Sequence, residues 1–320
     1  MFKKILVPLD GSPTAEAVLP LVTHLATTDK AEVELITVLT PVAIWDTAAS
    51  MIKWDAEEEA ARAYISGKAS KLSEAGIRAH SRVAFGPAAY AIFDAAKDAK
   101  ADFIAMTTHG RSGVSRFILG SVADKLLHTA APLLVVRPRD HQEDQPLSPS
   151  DIRKVFVPLD GSELSIEAIQ SAEEMARMFN ASLVFCNVVS TDWVVYSGME
   201  TPVLYQDVLE EGKARAKTNL ETISRQSRER GFAAHGVLGL GRPADEIERL
   251  AREQDANLIV MSTHGRSGPG RWVMGSVADA VVRRTHLPCL LVRPKQVKDQ
   301  TDSQTGHQAE TAPATGRNQK

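Results

Sequence analysis

The 320-residue chain has few cysteines and no long apolar segment. Both features limit the classes of protein to which it can belong. Its two cysteines, Cys186 and Cys289, each lie in an apolar, strand-like run, so we expect buried thiols rather than a disulfide. No apolar run approaches the roughly 20 residues that cross a bilayer. The N-terminus lacks the apolar core and cleavage site of a signal peptide. These observations predict a cytoplasmic protein without a membrane partner.

The chain also lacks an excess of charge of either sign and most motifs of catalysis. Its 37 Lys and Arg residues nearly balance 40 Asp and Glu residues, which argues against a nucleic-acid partner. No Walker-type Gly-Lys-Ser/Thr occurs, and the Gly-Arg-Ser-Gly segments lack the spacing of a nucleophile elbow. The nine histidines show no metal-ligand spacing. We therefore predict no catalytic residue and no metal site.

What the chain does contain is a repeat. The segment KKILVPLDGS at 3–12 returns as RKVFVPLDGS at 153–162, and THGRSGVSRFILGSVAD at 108–124 returns at 263–279 with 12 of 17 residues identical. The preserved order predicts a tandem duplication. We expect one domain at 1–139, a polar, proline-containing linker at 140–150 and a second domain at 151–295. The tail at 296–320 is almost devoid of apolar residues, and we expect it to be disordered.

Strands and helices alternate in each half. In the first, we predict a helix over 12–27 with Ser12 as its N-cap and a long helix over about 55–75 that stops at Gly76. Five apolar strands separated by helices predict an α/β fold of two tandem five-stranded parallel sheets. Ligands of such sheets lie beyond the carboxyl ends of the strands. The fifth strands are apolar edges, so we expect the two halves to pair through them as a pseudo-twofold pair.

The repeated glycine loop has the composition of an anion site. Gly110 and Gly120 bracket nine residues, and Ser121 opens a helix. The amides and partial positive charge of a helix start favour a bound phosphate, and Arg111 could add a charge-assisted contact. A plain turn with a serine cap is the alternative. The repetition of the loop in the second half favours a ligand.

The VPLDGS starts and the THGRSG…GSVAD loops resemble the universal stress protein family in its tandem two-domain form, over about residues 1–138 and 151–295. The resemblance implies an adenine nucleotide alpha hydrolase-like (Rossmann-like) fold and, in the ATP-binding branch, a loop of Gly, two residues, Gly, nine residues, Gly, then Ser or Thr. It implies ATP, with or without Mg²⁺, as the cofactor.

Carried over residue by residue, the resemblance implies a nucleotide site in each half. Asp10 and Asp160 are expected near the ribose or a metal on the phosphates, and the backbone of Val38 and Val188 beside the adenine. The implied binding residues are Pro8, Asp10, Val38, Met106, Thr107, Gly110, Arg111, Gly120, Ser121 and Val122 in the first half, and Pro158, Asp160, Val188, Met261, Ser262, Gly265, Arg266, Gly275, Ser276 and Val277 in the second.

The chain departs from the family pattern at the first loop glycine, where it carries Thr107 and Ser262. We expect a Cβ there to crowd the ligand, and a threonine to resist a positive φ. Pro269 also removes a backbone donor from the second loop, where the first has Val114. The two sites are therefore expected to differ in affinity.

Three functions remain open. The preferred one is a stress-response regulator that binds ATP at one or both sites. The second is a protein-interaction scaffold of the same family that uses no nucleotide. The third is a slow ATPase, for which Asp10 or Asp160 is the available base, although a bound metal would occupy either carboxylate. Association of two chains into a homodimer is compatible with each.

Overall fold

A computed structural model describes residues 2–40, 48–108, 119–129, 132–137, 147–162, 164–191, 202–263 and 274–293. The tail predicted at 296–320 and most of the predicted linker lie outside the described residues. The first half contains β1 (Lys4–Pro8), α1 (Pro13–Glu16), α2 (Leu19–Asp29), β2 (Glu32–Leu39), α3 (Ala48–Glu74), β3 (Ala79–Phe85), α4 (Ala88–Ala99), β4 (Phe103–Thr107), α5 (Ser121–Leu127) and β5 (Leu133–Val136).

The second half repeats this order after a short 3₁₀ turn at Pro149–Asp151. It contains β6 (Lys154–Pro158), α6 (Leu164–Phe179), β7 (Ser182–Val189), α7 (Pro202–Glu229), β8 (Ala234–Leu240), α8 (Pro243–Glu253), β9 (Leu258–Ser262), α9 (Ser276–Arg284) and β10 (Cys289–Val292).

One predicted helix is divided in the structure. Ser12 is an N-cap, as expected, because its Oγ accepts a hydrogen bond of 3.1 Å from the Ala15 N–H. The helix predicted over 12–27, however, breaks between α1 and α2, and Pro20 lies in the first turn of α2. Proline has no N–H to donate and is tolerated only at a helix start. The second half has Gln170 at the matching place, and α6 is continuous.

The ten strands form one sheet in the order β3-β2-β1-β4-β5-β10-β9-β6-β7-β8. Within each half all strand pairs are parallel, and α/β layering buries both faces. The halves join where β10 pairs antiparallel with β5, with Leu290 opposite Leu134. The expected pairing of the fifth strands is therefore present. Because this junction is antiparallel, the carboxyl edges of the two half-sheets lie at opposite ends of the joined sheet.

The halves also share their cores and exchange hydrogen bonds. Each of the two apolar layers draws buried side chains from both halves. Arg137, just after β5, donates to the Val282 carbonyl at the end of α9 at 3.1 Å, and Arg293, just after β10, donates to the Leu127 carbonyl at the end of α5 at 2.6 Å. Guanidinium groups at helix C-termini satisfy carbonyls that the helix leaves open. Burial lowers the pKa of Arg293 to about 10.

Both cysteines are free thiols and buried, as predicted. Cys289 lies in the β5–β10 junction, opposite Val135. Burial raises the pKa of each thiol to about 12, so both are neutral near pH 7. Neutral, enclosed thiols are poor nucleophiles and poor metal ligands.

Candidate functional site

The Asp-Gly-Ser segments after β1 and β6 fold in the same way. The Asp160 carboxylate oxygen Oδ1 accepts hydrogen bonds from the Ser162 N–H at 3.0 Å and from its Oγ–H at 2.6 Å. Asp10 and Ser12 make the same two bonds at the same distances. Such a turn, closed by an aspartate side chain on the backbone two residues ahead, holds the carboxylate in a defined place. Both halves thus position an acidic group at the carboxyl edge of the sheet.

The glycine between each aspartate and serine is required by the backbone. Gly11 has φ of +84° and Gly161 of +78°, a region that side chains with a Cβ disfavour. The preceding carbonyls are held by different residues in the two halves. The Thr37 hydroxyl donates to the Leu9 carbonyl at 2.9 Å, and the Asn187 amide donates to the Leu159 carbonyl at 3.0 Å.

The residues on the two sides of each glycine loop are joined by a backbone hydrogen bond. The Gly120 N–H donates to the Thr108 carbonyl at 2.8 Å, and the Gly275 N–H donates to the Thr263 carbonyl at 2.7 Å. Both threonines are buried. These bonds bring the start of α5 back to the end of β4, and the start of α9 back to the end of β9. The predicted residues Gly110, Arg111, Gly265 and Arg266 lie outside the described residues.

Gly120 and Gly275 are the N-caps of α5 and α9, and neither helix start has a side-chain cap among the described residues. Their φ values are −60° and −63°, with ψ near +145°, which any residue adopts. Backbone conformation is therefore not the reason for a glycine at these places. A close approach to another group would be a reason. The amides of the first turn are available to a ligand.

A cavity of about 720 Å³ opens at the carboxyl edge of the second half. Its volume is within the range of small-molecule sites. Eight of the ten residues predicted for this half line it: Pro158, Asp160, Val188, Met261, Ser262, Gly275, Ser276 and Val277. The structure thus brings together every predicted residue of the second half that it describes.

In the first half, the described residues predicted for the site take the matching places in the fold. Pro8 ends β1, with Asp10 just beyond it; Val38 lies near the end of β2; Met106 and Thr107 end β4; and Gly120, Ser121 and Val122 begin α5. Thr107 is only 4% exposed.

The expectation of strain at the replaced glycine is wrong. Thr107 pairs with Val136, and Ser262 pairs with Val292, each in regular parallel sheet. Neither residue has a positive φ. A strand end therefore accepts threonine or serine without backbone strain. Crowding of a ligand is a separate matter, since Ser262 lines the cavity.

One wall of the cavity was not predicted. It is formed by α7, which contributes Glu211, Gly212, Arg215 and Asn219 among others. Exposed polar residues on a long helix are typical of a solvent-facing surface, so the sequence alone has no signal that marks them. Asn187 and Cys186 also line the cavity.

Two features are absent from the described residues. No helix there is long and apolar enough to cross a membrane. Over the same ranges, no group of three or more His, Cys, Asp or Glu side chains is arranged to hold a metal ion.

The fold and the cavity define a class of protein. An open α/β sheet, with a cavity beyond the carboxyl ends of its strands and a glycine at the helix start beside it, is the architecture of nucleotide-binding-like α/β proteins. The model of the universal stress protein family matches residues 1–137 and 151–293. The chain belongs to this family.

Relatives agree with this assignment. A universal stress protein of Mycolicibacterium smegmatis is 26% identical over 301 residues, which cover 91% of this chain and 97% of that protein. A universal stress protein of Methanocaldococcus jannaschii is 33% identical over 145 residues, or 45% of this chain and 84% of that protein. The crystal structure of a universal stress protein from Archaeoglobus fulgidus superposes with a TM-score of 0.68 and 22% identity, covering 91% of this chain and 98% of the other, and so shares the fold.

Proposed function

We propose that this universal stress protein binds ATP at the carboxyl edge of each half-sheet and acts in the stress response as a nucleotide-dependent regulator in the cytoplasm. The observation that carries the proposal is the second-half cavity. It unites an acidic side chain, a glycine-capped helix start and the ends of three neighbouring strands. The predicted nucleotide contacts come from sequence motifs far apart in the chain. In the structure they line one cavity, whose volume suits a small-molecule ligand.

The residues present fit an adenine nucleotide. The amides at the start of α9, behind Gly275, would hold phosphate oxygens, because they combine unused donors with the positive end of the helix dipole. The Ser276 side chain is exposed there and can donate a further hydrogen bond. Asp160, held by Ser162, would accept from a ribose hydroxyl or face a Mg²⁺ on the phosphates. The backbone of Val188, on the cavity wall, would meet the adenine.

The described residues that line the cavity supply binding groups rather than a catalytic set. Among the described lining residues, the carboxylates are Asp160 and Glu211, and Asp160 is engaged by Ser162. The Cys186 thiol is neutral, with a pKa of about 12. A regulator that changes its shape or partner with bound nucleotide therefore fits these groups better than an efficient hydrolase.

Two experiments test the proposal. The first is to denature the purified chain and identify released nucleotide by liquid chromatography, where adenine nucleotide is expected. The second is calorimetric titration of ATP into Gly120→Val, Gly275→Val and the double variant. Each single variant should lose the binding of its own half, because the valine side chain occupies the space beside the first helical turn. The allowed φ at both glycines predicts little loss of stability.

The double variant decides between the two leading functions. Loss of all ATP binding with an unchanged unfolding midpoint supports the nucleotide function. Unchanged ATP affinity would refute the phosphate assignment. A wild-type chain that binds no ATP would favour the nucleotide-free scaffold.

A further inference from the structure

Helix α7 covers the second-half cavity with one polar stripe. Glu211, Arg215 and Asn219 are spaced four residues apart, so they lie on one face of the helix, and all three line the cavity. The helix lies close to the sheet at this point. A Cβ added to Gly212 would meet the Val189 Cγ1 at 3.5 Å. The stripe is thereby held at the mouth of the cavity, with its side chains exposed to solvent.

Arg215 is the one cation among the described residues that line this cavity; the other charged groups there are Asp160 and Glu211. It makes no hydrogen bond or ion pair with any part of the chain that the structure describes, although Glu211 is one turn away. Elsewhere on α7 the pairs Lys213–Glu210 and Arg225–Glu229 do form, at 2.8 and 2.9 Å. The Arg215 guanidinium therefore stands at the cavity with its donors uncommitted to described protein groups.

The first half differs at all three matching positions, and Ala56 stands in place of Glu211. Residues 155 places earlier on α3 are Ala60 in place of Arg215 and Tyr64 in place of Asn219. The Tyr64 hydroxyl donates to the Glu16 carboxylate at 2.9 Å, and Lys68 pairs with the same carboxylate. Burial, followed by the Glu16 carboxylate, raises the pKa of Tyr64, so the phenol stays neutral. In the first half, the place that matches Asn219 is therefore occupied by the cluster of Tyr64, Glu16 and Lys68. The place that matches Arg215 has no cation.

We propose that Arg215 determines the specificity of the second-half cavity for the polyphosphate part of its ligand, and that this half is the tighter ATP site. The inference rests on the proposed nucleotide function. A polyphosphate placed beside the carboxylates of Asp160 and Glu211 is repelled unless a cation compensates. The planar guanidinium fork binds two phosphate oxygens at once, which an alanine at the first-half position cannot do.

The test is calorimetric titration of ATP, ADP and adenosine into the full chain and its Arg215→Gln variant, both carrying Gly120→Val to silence the first half. Lys217→Gln, on the same helix but not on the cavity wall, is the matched control for the loss of one positive charge. Arg215→Gln should weaken ATP binding by about tenfold or more, the usual scale of a lost charge-assisted hydrogen bond, and adenosine binding by less than about twofold. The control should change neither.

Three results would overturn the inference. ATP affinity could be unchanged in Arg215→Gln, it could fall equally in Lys217→Gln, or adenosine could lose as much as ATP, which would indicate stacking on the base. In each of these cases wild-type ATP binding persists, and the proposed function stands. Absence of ATP binding in the unaltered chain would refute both.

A gain of function provides an independent check that does not depend on removing a group. In a Gly275→Val chain, where ATP can bind only in the first half, Ala60→Arg should strengthen ATP binding and leave adenosine binding unchanged. An Ala60→Gln control should have no effect. Failure of Ala60→Arg to strengthen ATP binding would contradict the role assigned to a cation at this helix position.

Discussion

The packing of α7 against β8 at Gly236 predicts the effect of a single added methyl group. A Cβ on Gly236, in β8, would lie 2.8 Å from the Cβ of Leu220, which is buried on α7. Carbon atoms in contact are about 3.5–4.0 Å apart, so α7 must move outward by roughly 1 Å. Overpacking of this kind costs about 1–3 kcal/mol, and the reduced freedom of the unfolded chain returns about 0.4–1 kcal/mol. Gly236→Ala should therefore lower the free energy of unfolding by about 1.3 kcal/mol, the difference between the midpoints of these two ranges.

Gly67→Ala is the matched control. Gly67 is exposed in the interior of α3, and a Cβ there would meet nothing within 4 Å. The same chemical change should raise stability by about 0.5–1 kcal/mol, because alanine favours the helix. Urea titrations followed by circular dichroism, on the two variants and the wild type, measure both changes. A Gly236→Ala midpoint equal to or above that of the wild type would show that α7 does not press on the sheet as described.

Two further predictions concern the first loop position and the thiols. When the opposite site is blocked by its Gly→Val change, Thr107→Gly should strengthen ATP binding in the first half more than Ser262→Gly does in the second. Relief of a clash is worth about 1–3 kcal/mol, and threonine is bulkier than serine. Weaker ATP binding in Thr107→Gly would instead identify the Thr107 hydroxyl as a ligand contact. Burial raises the pKa of Cys186 and Cys289 to about 12 in the folded chain, so the thiols of the unfolded chain ionise at lower pH. The free energy of unfolding should therefore fall as pH rises from about 9 towards 12, by up to about 1.4 kcal/mol per pH unit for each thiol. Cys289→Ala should flatten this decline in urea midpoints measured at several pH values, and an unchanged slope would contradict the assignment.

Much of the fold follows from local patterns. Short apolar runs predict the strands, and their alternation with helices predicts the parallel half-sheets, because each pattern reflects burial along one element. The N-cap at Ser12 is readable for the same reason, since its partner, Ala15, is three residues away. The break at Pro20 depends on a local rule as well, but the helical spacing on both sides of the proline conceals it.

The contact of α7 with the sheet and the cavity is the part that the sequence did not predict. Arg215 lines the cavity because α7 lies close to β8. This short distance between helix and strand is possible because Gly236 has no side chain. An exposed arginine on a long helix has the same sequence pattern whether it faces water or a ligand. The predicted site residues that the structure describes lie at strand and helix ends, and the topology dictates their place at the sheet edge.

Joining the two copies in one polypeptide changes what governs their association. The junction consists of three strand residue pairs, two arginine bridges and a shared core. Between separate chains, such a junction would form to an extent set by their concentration. Covalent connection replaces that concentration with an effective one, on the order of millimolar for a short connection, whatever the abundance of the protein. The pair of half-sheets is therefore retained on dilution, and two candidate sites that have diverged in sequence always occur in a one-to-one ratio.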